Sequence, residues 1–192
     1  MMTPMTQRVQ IKDTIVELLE GDITRQDVDA IVNAANSSLL GGGGVDGAIH
    51  RSAGPELLAE TKTLGGCQTG DAKITRGYKL KARHVIHTVG PIYQARDPLV
   101  PEQLASAYRR SLEVAEANSI RTIAFPSIST GAYGYPLKEA APIALKTVVD
   151  FITEHEGFNC VRFVLFDDQT IDAYTRALDQ LIRLHSNSLK PI

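Results

Sequence analysis

The chain has 192 residues, a length that fits a single domain in which about 70% of the surface of the unfolded chain becomes buried. Hydrophobic residues make up 43% of the chain and charged residues 22%, which excludes a disordered, fibrous or collagen-like protein. The formal net charge is −2, so the excess of positive charge that a dedicated nucleic-acid binder needs is missing.

The two cysteines, Cys67 and Cys160, lie far apart and lack the spacing of a disulfide framework or a zinc site. We therefore expect a reducing compartment, no bound metal and two inert thiols that pack as small apolar groups. The first residues contain no apolar stretch of signal-peptide length, and nowhere do about 18 apolar residues run together. These features predict a cytoplasmic protein that does not bind membranes.

Apolar patterning predicts the strands and helices along the chain. A β-hairpin, a buried strand and two helices come first, at Val9–Ile11, Ile15–Leu19, Asp29–Asn33, Asp46–Ala53 and Pro55–Leu64. Two strands follow, and strands then alternate with helices: Ala72–Thr75, His84–Val89, Pro101–Ala117, Arg121–Phe125, Pro136–Thr153, Cys160–Phe166 and a last helix with Ile171, Tyr174, Leu178 and Leu181 on one stripe. This alternation indicates a layered α/β domain, and the opening hairpin makes its sheet mixed. We find no repeat or linker, so a single domain over residues 1–192 is expected.

A glycine-rich run, Gly42 to Gly47, formally matches the dinucleotide-binding pattern G-x-G-x-x-G. In a Rossmann unit the pattern directly follows a strand, whereas here ten residues, from Ala34 to Gly43, separate the strand from Gly44. Asp46 also places a carboxylate where a pyrophosphate would be repelled, and Ala48 stands where a P-loop has its lysine. A nicotinamide-dependent oxidoreductase is therefore a disfavoured alternative, and ATP or GTP hydrolysis has no support.

Two loops, Gly41–Gly44 and Ser127–Gly131, each follow a predicted strand and precede a predicted helix. Such loops expose successive backbone N–H groups, and the helix N-termini add positive potential, so two of them can hold a diphosphate without a lysine. The pattern predicts a nucleotide diphosphate as ligand. The alternative is that the four glycines form only a mobile surface loop.

Four runs of the sequence carry a family resemblance. They are GDIT at 21–24, NAANSSLLGGGGVDGAIH at 33–50, GD at 70–71 and SISTG at 127–131. Over about residues 21–166 the chain resembles the macrodomain family, and most of all its branch of O-acetyl-ADP-ribose deacetylases and mono-ADP-ribosyl hydrolases. The resemblance implies a three-layer α/β/α fold with a mixed central sheet and an ADP-ribose cleft at the strand ends.

The resemblance also implies site residues. At the adenine, Asp22 accepts a hydrogen bond from the amino group, Ile23 supports the ring and Phe166 packs on it. The first diphosphate loop contains Gly43, Gly44 and Val45, and the second contains Ser129, Thr130, Gly131 and Ala132. Tyr133 is the aromatic residue at the distal ribose. The catalytic pair is Asn36 and Asp46.

The chemistry of Asn36 and Asp46 fits the hydrolysis of an ester on a ribose. Asp46 can accept a proton from water, Asn36 can orient the sugar hydroxyls and loop N–H groups can stabilise the oxyanion. The scheme needs no metal or cofactor, and the sequence has no serine or cysteine signature of a covalent route, although a substrate-assisted route stays open. We therefore expect a hydrolase whose partners are ADP-ribose, O-acetyl-ADP-ribose and ADP-ribose esterified to protein carboxylates. The alternative is a module that binds ADP-ribose without turnover.

Structural roles remain open for several residues. Asp22 and Asp46 suit the first turn of a helix, where a carboxylate caps free N–H groups. Phe166 fits a strand core as well as a ligand contact, and Tyr133 can also cover the edge of the core. Asn33 and Asn36 also suit turns, and Asn33 is expected mainly to hold its loop. His50 and His87 are expected to be satisfied structural histidines near the cleft.

Overall fold

The computed structural model describes residues 6–192, which form a mixed eight-stranded sheet between two layers of helices. The strands are β1 (Thr6–Ile11), β2 (Thr14–Glu20), β3 (Ala30–Ala34), β4 (Ala72–Arg76), β5 (His84–Thr88), β6 (Thr122–Phe125), β7 (Cys160–Leu165) and β8 (Lys190–Pro191). The helices are α1 (Gly44–Ala53), α2 (Pro55–Thr61), α3 (Leu99–Ala117), α4 (Leu137–Glu154) and α5 (Asp168–Leu184). The strand order in the sheet is β4-β5-β3-β6-β7-β2-β1-β8.

Five parallel strands, β5-β3-β6-β7-β2, form the centre of the sheet. Antiparallel neighbours complete it on both sides, with β4 against β5 and the predicted β1–β2 hairpin extended by β8. Because the central strands all run in one direction, their carboxyl ends lie along one edge of the sheet. The two glycine-containing loops, which follow β3 and β6, therefore meet at that edge.

The alternation of side chains along β3 gives each face of the sheet its own core. Ala30 and Val32 belong to the cluster that α3, α4 and α5 cover. Ile31, between them, packs on the opposite face with Ile49 of α1 and Leu57 of α2. All five side chains are completely buried. The expected three-layer α/β/α fold is thus confirmed.

The predicted elements are present, but some of their ends differ. α1 begins at Gly44 rather than Asp46, because the extended residue before its first turn is Gly43. α2 ends at Thr61 and continues as a 3₁₀ turn, Lys62–Leu64. β8 was not predicted from the sequence, because its two residues are too few to show any periodicity.

The expectation that the chain lacks a signal peptide rests partly on residues 1–5, which lie outside the described residues. Within residues 6–192, no helix combines the length and the apolar composition that crossing a bilayer requires.

Candidate functional site

A cleft of about 700 Å³ opens at the carboxyl edge of the central strands, a volume that suits a ligand of nucleotide size. Its walls come from α1 and from the segments that follow β2, β3, β5, β6 and β7. Every residue with a site role implied by the sequence lines this cleft: Asp22, Ile23, Asn36, Gly43, Gly44, Val45, Asp46, Ser129, Thr130, Gly131, Ala132, Tyr133 and Phe166. The fold therefore brings together residues that are up to 144 positions apart in the chain, while their individual roles stay predictions.

The loop before α1 packs backbone to backbone on the first turn of that helix. A β-carbon on Gly47 would lie only 2.6 Å from the carbonyl oxygen of Gly42, so glycine is required for this approach. A β-carbon on Gly42 would lie 3.1 Å from Asp46 Oδ2 and 3.3 Å from Asn36 Nδ2. Asn36 and Asp46, the two residues implied to be catalytic, therefore flank the same glycine.

Asp46 is buried, with 4% of its surface exposed, and its carboxylate accepts one hydrogen bond from the described part of the chain. Asn33 Nδ2 donates to Asp46 Oδ1 at 2.7 Å. The carboxylate does not cap α1. The N-cap position of this helix is occupied by Gly43, and no side-chain hydrogen bond caps it. His50 Nε2 lies 3.4 Å from Asp46 Oδ1 but makes no hydrogen bond within residues 6–192. The Asp46 carboxylate is thus the acidic group that faces His50, which stays a structural histidine by prediction.

A buried polar chain behind Asp46 orients Asn33. His87 Nδ1 lies 3.2 Å from Asn33 Nδ2, and His87 Nε2 lies 2.9 Å from Thr75 Oγ1. Since an amide nitrogen only donates, His87 Nδ1 must accept, and the ring proton therefore resides on Nε2. Burial lowers the pKa of His87 to about 3, with a smaller contribution from nearby His50, so the ring is neutral at physiological pH.

These contacts decide two of the expected structural roles. His87 is a satisfied structural histidine, as expected. The expectation that Asn33 is a turn former is wrong, because Asn33 lies inside β3, fully buried, and its amide connects His87 to Asp46.

The second loop packs tightly against the segment after β5. A β-carbon on Gly90 would lie 2.1 Å from Ser129 Oγ and 2.5 Å from Ile128 Cγ2. Gly90 lines the cleft and was not predicted from the sequence. Its position next to Pro91, just after a strand that ends at the cleft edge, is the signal that could have identified it. Ser129 has a backbone φ of 67°, which is uncommon outside glycine and indicates a constrained loop.

Asp22 and Phe166 follow the neighbouring strands β2 and β7. Asp22 Oδ1 accepts hydrogen bonds from Thr24 N at 2.9 Å and from Thr24 Oγ1 at 2.7 Å, so it does cap a 3₁₀ turn, Ile23–Arg25. Its Oδ2 makes only an exposed contact with Arg25. Phe166 is 86% exposed, which shows that the strand-core interpretation is wrong: β7 ends one residue earlier. An exposed aromatic ring on a cleft wall is available to a ligand.

Neither cysteine lines the cleft, and both are free thiols. Burial raises the pKa of Cys67, and it raises that of Cys160 to about 11, so both stay protonated at neutral pH as inert side chains should. Over residues 6–192, no three His, Cys, Asp or Glu side chains are grouped as metal ligands would be.

Comparisons with known proteins agree with this architecture. The model of the Macro domain family matches residues 32–144. An O-acetyl-ADP-ribose deacetylase of Salmonella typhimurium is 53% identical over 180 residues, which cover 92% of this chain and 97% of that protein. An ADP-ribose glycohydrolase of Xenopus laevis is 53% identical over 181 residues, which cover 91% of this chain and 43% of that protein.

Among solved structures, a macrodomain of Oceanobacillus iheyensis with ADP is 44% identical and superposes with a TM-score of 0.91, covering 95% of this chain and 99% of that one. Since the family model matches most of the chain, and the Salmonella relative aligns along almost its whole length, this protein belongs to the macro domain family.

Proposed function

We propose that this macrodomain binds ADP-ribose in the cleft and hydrolyses acyl esters on the distal ribose. Two relatives support the substrate class, since one is named a deacetylase of O-acetyl-ADP-ribose and the other an ADP-ribose glycohydrolase. The substrates that fit are O-acetyl-ADP-ribose and ADP-ribose esterified to protein carboxylates, because both present an acyl ester on that sugar.

The strand order supports an extended ligand that runs along the cleft. Adjacent strands lie about 4.8 Å apart, so the five parallel strands span an edge of about 19 Å. Asp22 and Phe166 follow strands β2 and β7 at one end of this edge, the second loop follows β6 in the middle, and Asn36 follows β3 beyond it. This order matches adenine, diphosphate and distal ribose, the successive parts of ADP-ribose.

The observation that carries the proposed activity is the buried, oriented carboxylate of Asp46. Its Oδ1 atom is occupied by the Asn33 amide, while Oδ2 lies on the side of Gly42 and Asn36 in the cleft wall. Oδ2 is therefore the atom that accepts a proton from a water bound there. Asn36 is held in turn, because its Nδ2 donates to the Gly41 carbonyl and its Oδ1 accepts from Ser38.

In the reaction, the water oxygen attacks the acyl carbonyl as its proton passes to Asp46. Backbone N–H groups of the glycine-rich loop stabilise the resulting oxyanion. The tetrahedral intermediate then collapses, the bond to the ribose oxygen breaks, and Asp46 returns the proton to that oxygen. The products are a carboxylic acid and ADP-ribose.

Single-turnover kinetics of Asp46→Ala on O-acetyl-ADP-ribose and on an ADP-ribosylated protein test this scheme. We expect turnover to fall by about 10²–10⁴-fold, the usual contribution of a positioned proton acceptor. ADP-ribose affinity should stay or rise, because a negative charge near the diphosphate is removed. Asn36→Ala should slow turnover less, and the two changes should combine less than additively, because both groups serve one step.

Asp150→Ala is the matched control, since Asp150 is exposed on α4 and pairs only with Lys146. A folded Asp46→Ala protein with near-normal turnover would remove Asp46 from the mechanism. A wild-type protein that binds ADP-ribose but hydrolyses neither ester would instead be a binding module, and one that does not bind ADP-ribose would overturn the proposal altogether.

A further inference from the structure

Two buried tyrosine hydroxyls lie beneath the second loop, and the scheme above does not use them. Tyr108 of α3 is 1% exposed and Tyr174 of α5 is 0% exposed. Their rings pack with Phe163 in the core, and their hydroxyl oxygens lie 3.2 Å apart. Two polar groups this deep cost free energy unless each finds a partner.

Both hydroxyls are partnered by the second loop. Ile128 N–H donates to Tyr108 Oη at 3.0 Å, and Tyr174 Oη donates to Ser127 Oγ at 3.0 Å. Since each phenol has one proton and that of Tyr174 goes to Ser127, the Tyr108 proton has two acceptors within reach. These are Tyr174 Oη at 3.2 Å and the Pro126 carbonyl oxygen at 3.4 Å, and the shorter distance favours Tyr174. The hydrogen bonds therefore run in one direction, from Ile128 through both tyrosines to Ser127. Burial raises the pKa of both phenols, so these protons are retained.

This arrangement constrains the proton of Ser127. Ser127 Oγ accepts from Tyr174 and, at 2.8 Å, from Thr130 Oγ1. The other acceptor of Thr130, the Ser127 carbonyl oxygen, is farther away at 3.2 Å, so the shorter contact occupies the second lone pair of Ser127 Oγ. Its own proton has no acceptor in the described part of the chain, and Ser127 lines the cleft. A hydroxyl that can only donate, and that borders a cleft, suits an anionic oxygen.

We propose that Tyr108 and Tyr174 are positioning residues that fix the second loop before ligand binds and direct the Ser127 hydroxyl at an oxygen of the bound diphosphate. This inference rests on the proposed binding of ADP-ribose. A loop fixed in advance does not have to be ordered when the ligand arrives, which increases affinity without adding a contact. The positive φ of Ser129 fits this role, because a strained residue persists only where its surroundings hold it.

The test compares ADP-ribose with adenosine, which has no phosphate, by calorimetry and NMR titration. Tyr108→Phe and Tyr174→Phe each remove one hydroxyl and keep the ring. We expect each to lower ADP-ribose affinity about fivefold, because the loop then has to be ordered when the ligand binds, and to leave adenosine affinity within about twofold. The double variant should lose less than the product of the two factors, because both hydroxyls serve one chain.

Ser127→Ala should lower ADP-ribose affinity by about tenfold, as for a hydrogen bond to a charged group. Tyr135→Phe is the matched control: Tyr135 is also buried, but its hydroxyl makes no hydrogen bond within residues 6–192, so the affinities should not change. Circular dichroism melting identifies variants that do not fold.

The outcomes separate this inference from the proposed function. A wild-type protein that does not bind ADP-ribose overturns the proposed function itself. If the wild type binds and the folded tyrosine variants bind equally well, only the positioning role is overturned. Equal losses for adenosine and ADP-ribose also overturn it, because they indicate general loosening. If a tyrosine variant does not fold, Ser127→Ala decides, and unchanged ADP-ribose affinity refutes the proposal.

Discussion

Acidification tests the buried chain that orients Asp46, because His87 must be neutral to accept the Asn33 hydrogen bond. Burial and nearby His50 hold the pKa of His87 at about 3 in the folded protein, against 6.5 for an unperturbed histidine. Between these values the unfolded chain binds a proton at His87 and the folded chain does not. The free energy of unfolding should therefore decrease as the pH falls from 6.5 towards 3, and His87 should make no difference above 6.5.

The expected magnitude follows from the size of the pKa shift. One proton of difference gives a slope of about 1.4 kcal/mol per pH unit, and the whole interval amounts to about 5 kcal/mol. Asp and Glu side chains of unfolded chains titrate near pH 4, so the interval from about pH 6.5 to 5 isolates the histidine contribution.

Chemical denaturation of His87→Asn across this interval provides the measurement. Asparagine cannot titrate, so the variant should lose most of the pH slope. It still offers an acceptor near Asn33, but it is smaller than the imidazole it replaces, so the variant should also be less stable than the wild type at pH 7. His185→Asn, at an exposed position after α5, should keep the slope of the wild type. If the wild type and His87→Asn have the same slope, His87 is not held neutral by burial, and the proposed chain to Asp46 is wrong.

Three other changes test the cleft. Phe166→Ala should weaken ADP-ribose binding by about 1–3 kcal/mol, the range for base–aromatic stacking. The melting temperature should stay unchanged, because the ring is 86% exposed. Unchanged affinity in calorimetry with a lower melting temperature would instead indicate a core role for Phe166. Gly90→Ala places a β-carbon 2.1 Å from Ser129 Oγ, so the second loop should shift and calorimetry should show weaker ADP-ribose binding; an unchanged affinity would contradict this packing. Excess EDTA should leave ester turnover intact, because in the proposed reaction Asp46, and not a metal ion, activates the water. A loss that zinc or magnesium restores would demonstrate a metal requirement.

Local patterns predicted most of the fold. The periodicity of β3 and α4, and the prolines that begin α2 and precede α4, are properties of neighbouring residues, so the elements could be located from sequence. The strand order could not, because β3 pairs with β5 and β6 across long stretches of chain. The predicted end of an element also differs from the observed one where glycine precedes a helix, as at Gly43, since several backbone conformations are open to glycine.

Some residues of the candidate site could likewise be predicted from the sequence, and others could not. Asn36, Asp46 and the two loops carry motifs that resemble a known family, so sequence could identify them. The chain from Thr75 through His87 to Asn33 has no such motif, because its members lie on three strands whose pairing sets their distances. Gly90 was missed for a related reason: what requires glycine there is the approach of Ser129, 39 positions away in the chain.

The position of Asp46 favours turnover over simple binding. Two loops that line the cleft are proposed to hold the diphosphate, and the Asp46 carboxylate in the same cleft wall would repel that anion. The protein nevertheless buries the Asn33 amide and the His87 imidazole next to this carboxylate. Each buried polar atom that stays unpaired costs about 1–3 kcal/mol of stability, and Asn33 Oδ1 is such an atom. A protein that only bound ADP-ribose would gain affinity from an apolar residue at this position. Lost ester turnover in Asp46→Ala, together with an ADP-ribose affinity that stays or rises, is therefore the combined outcome that this interpretation requires.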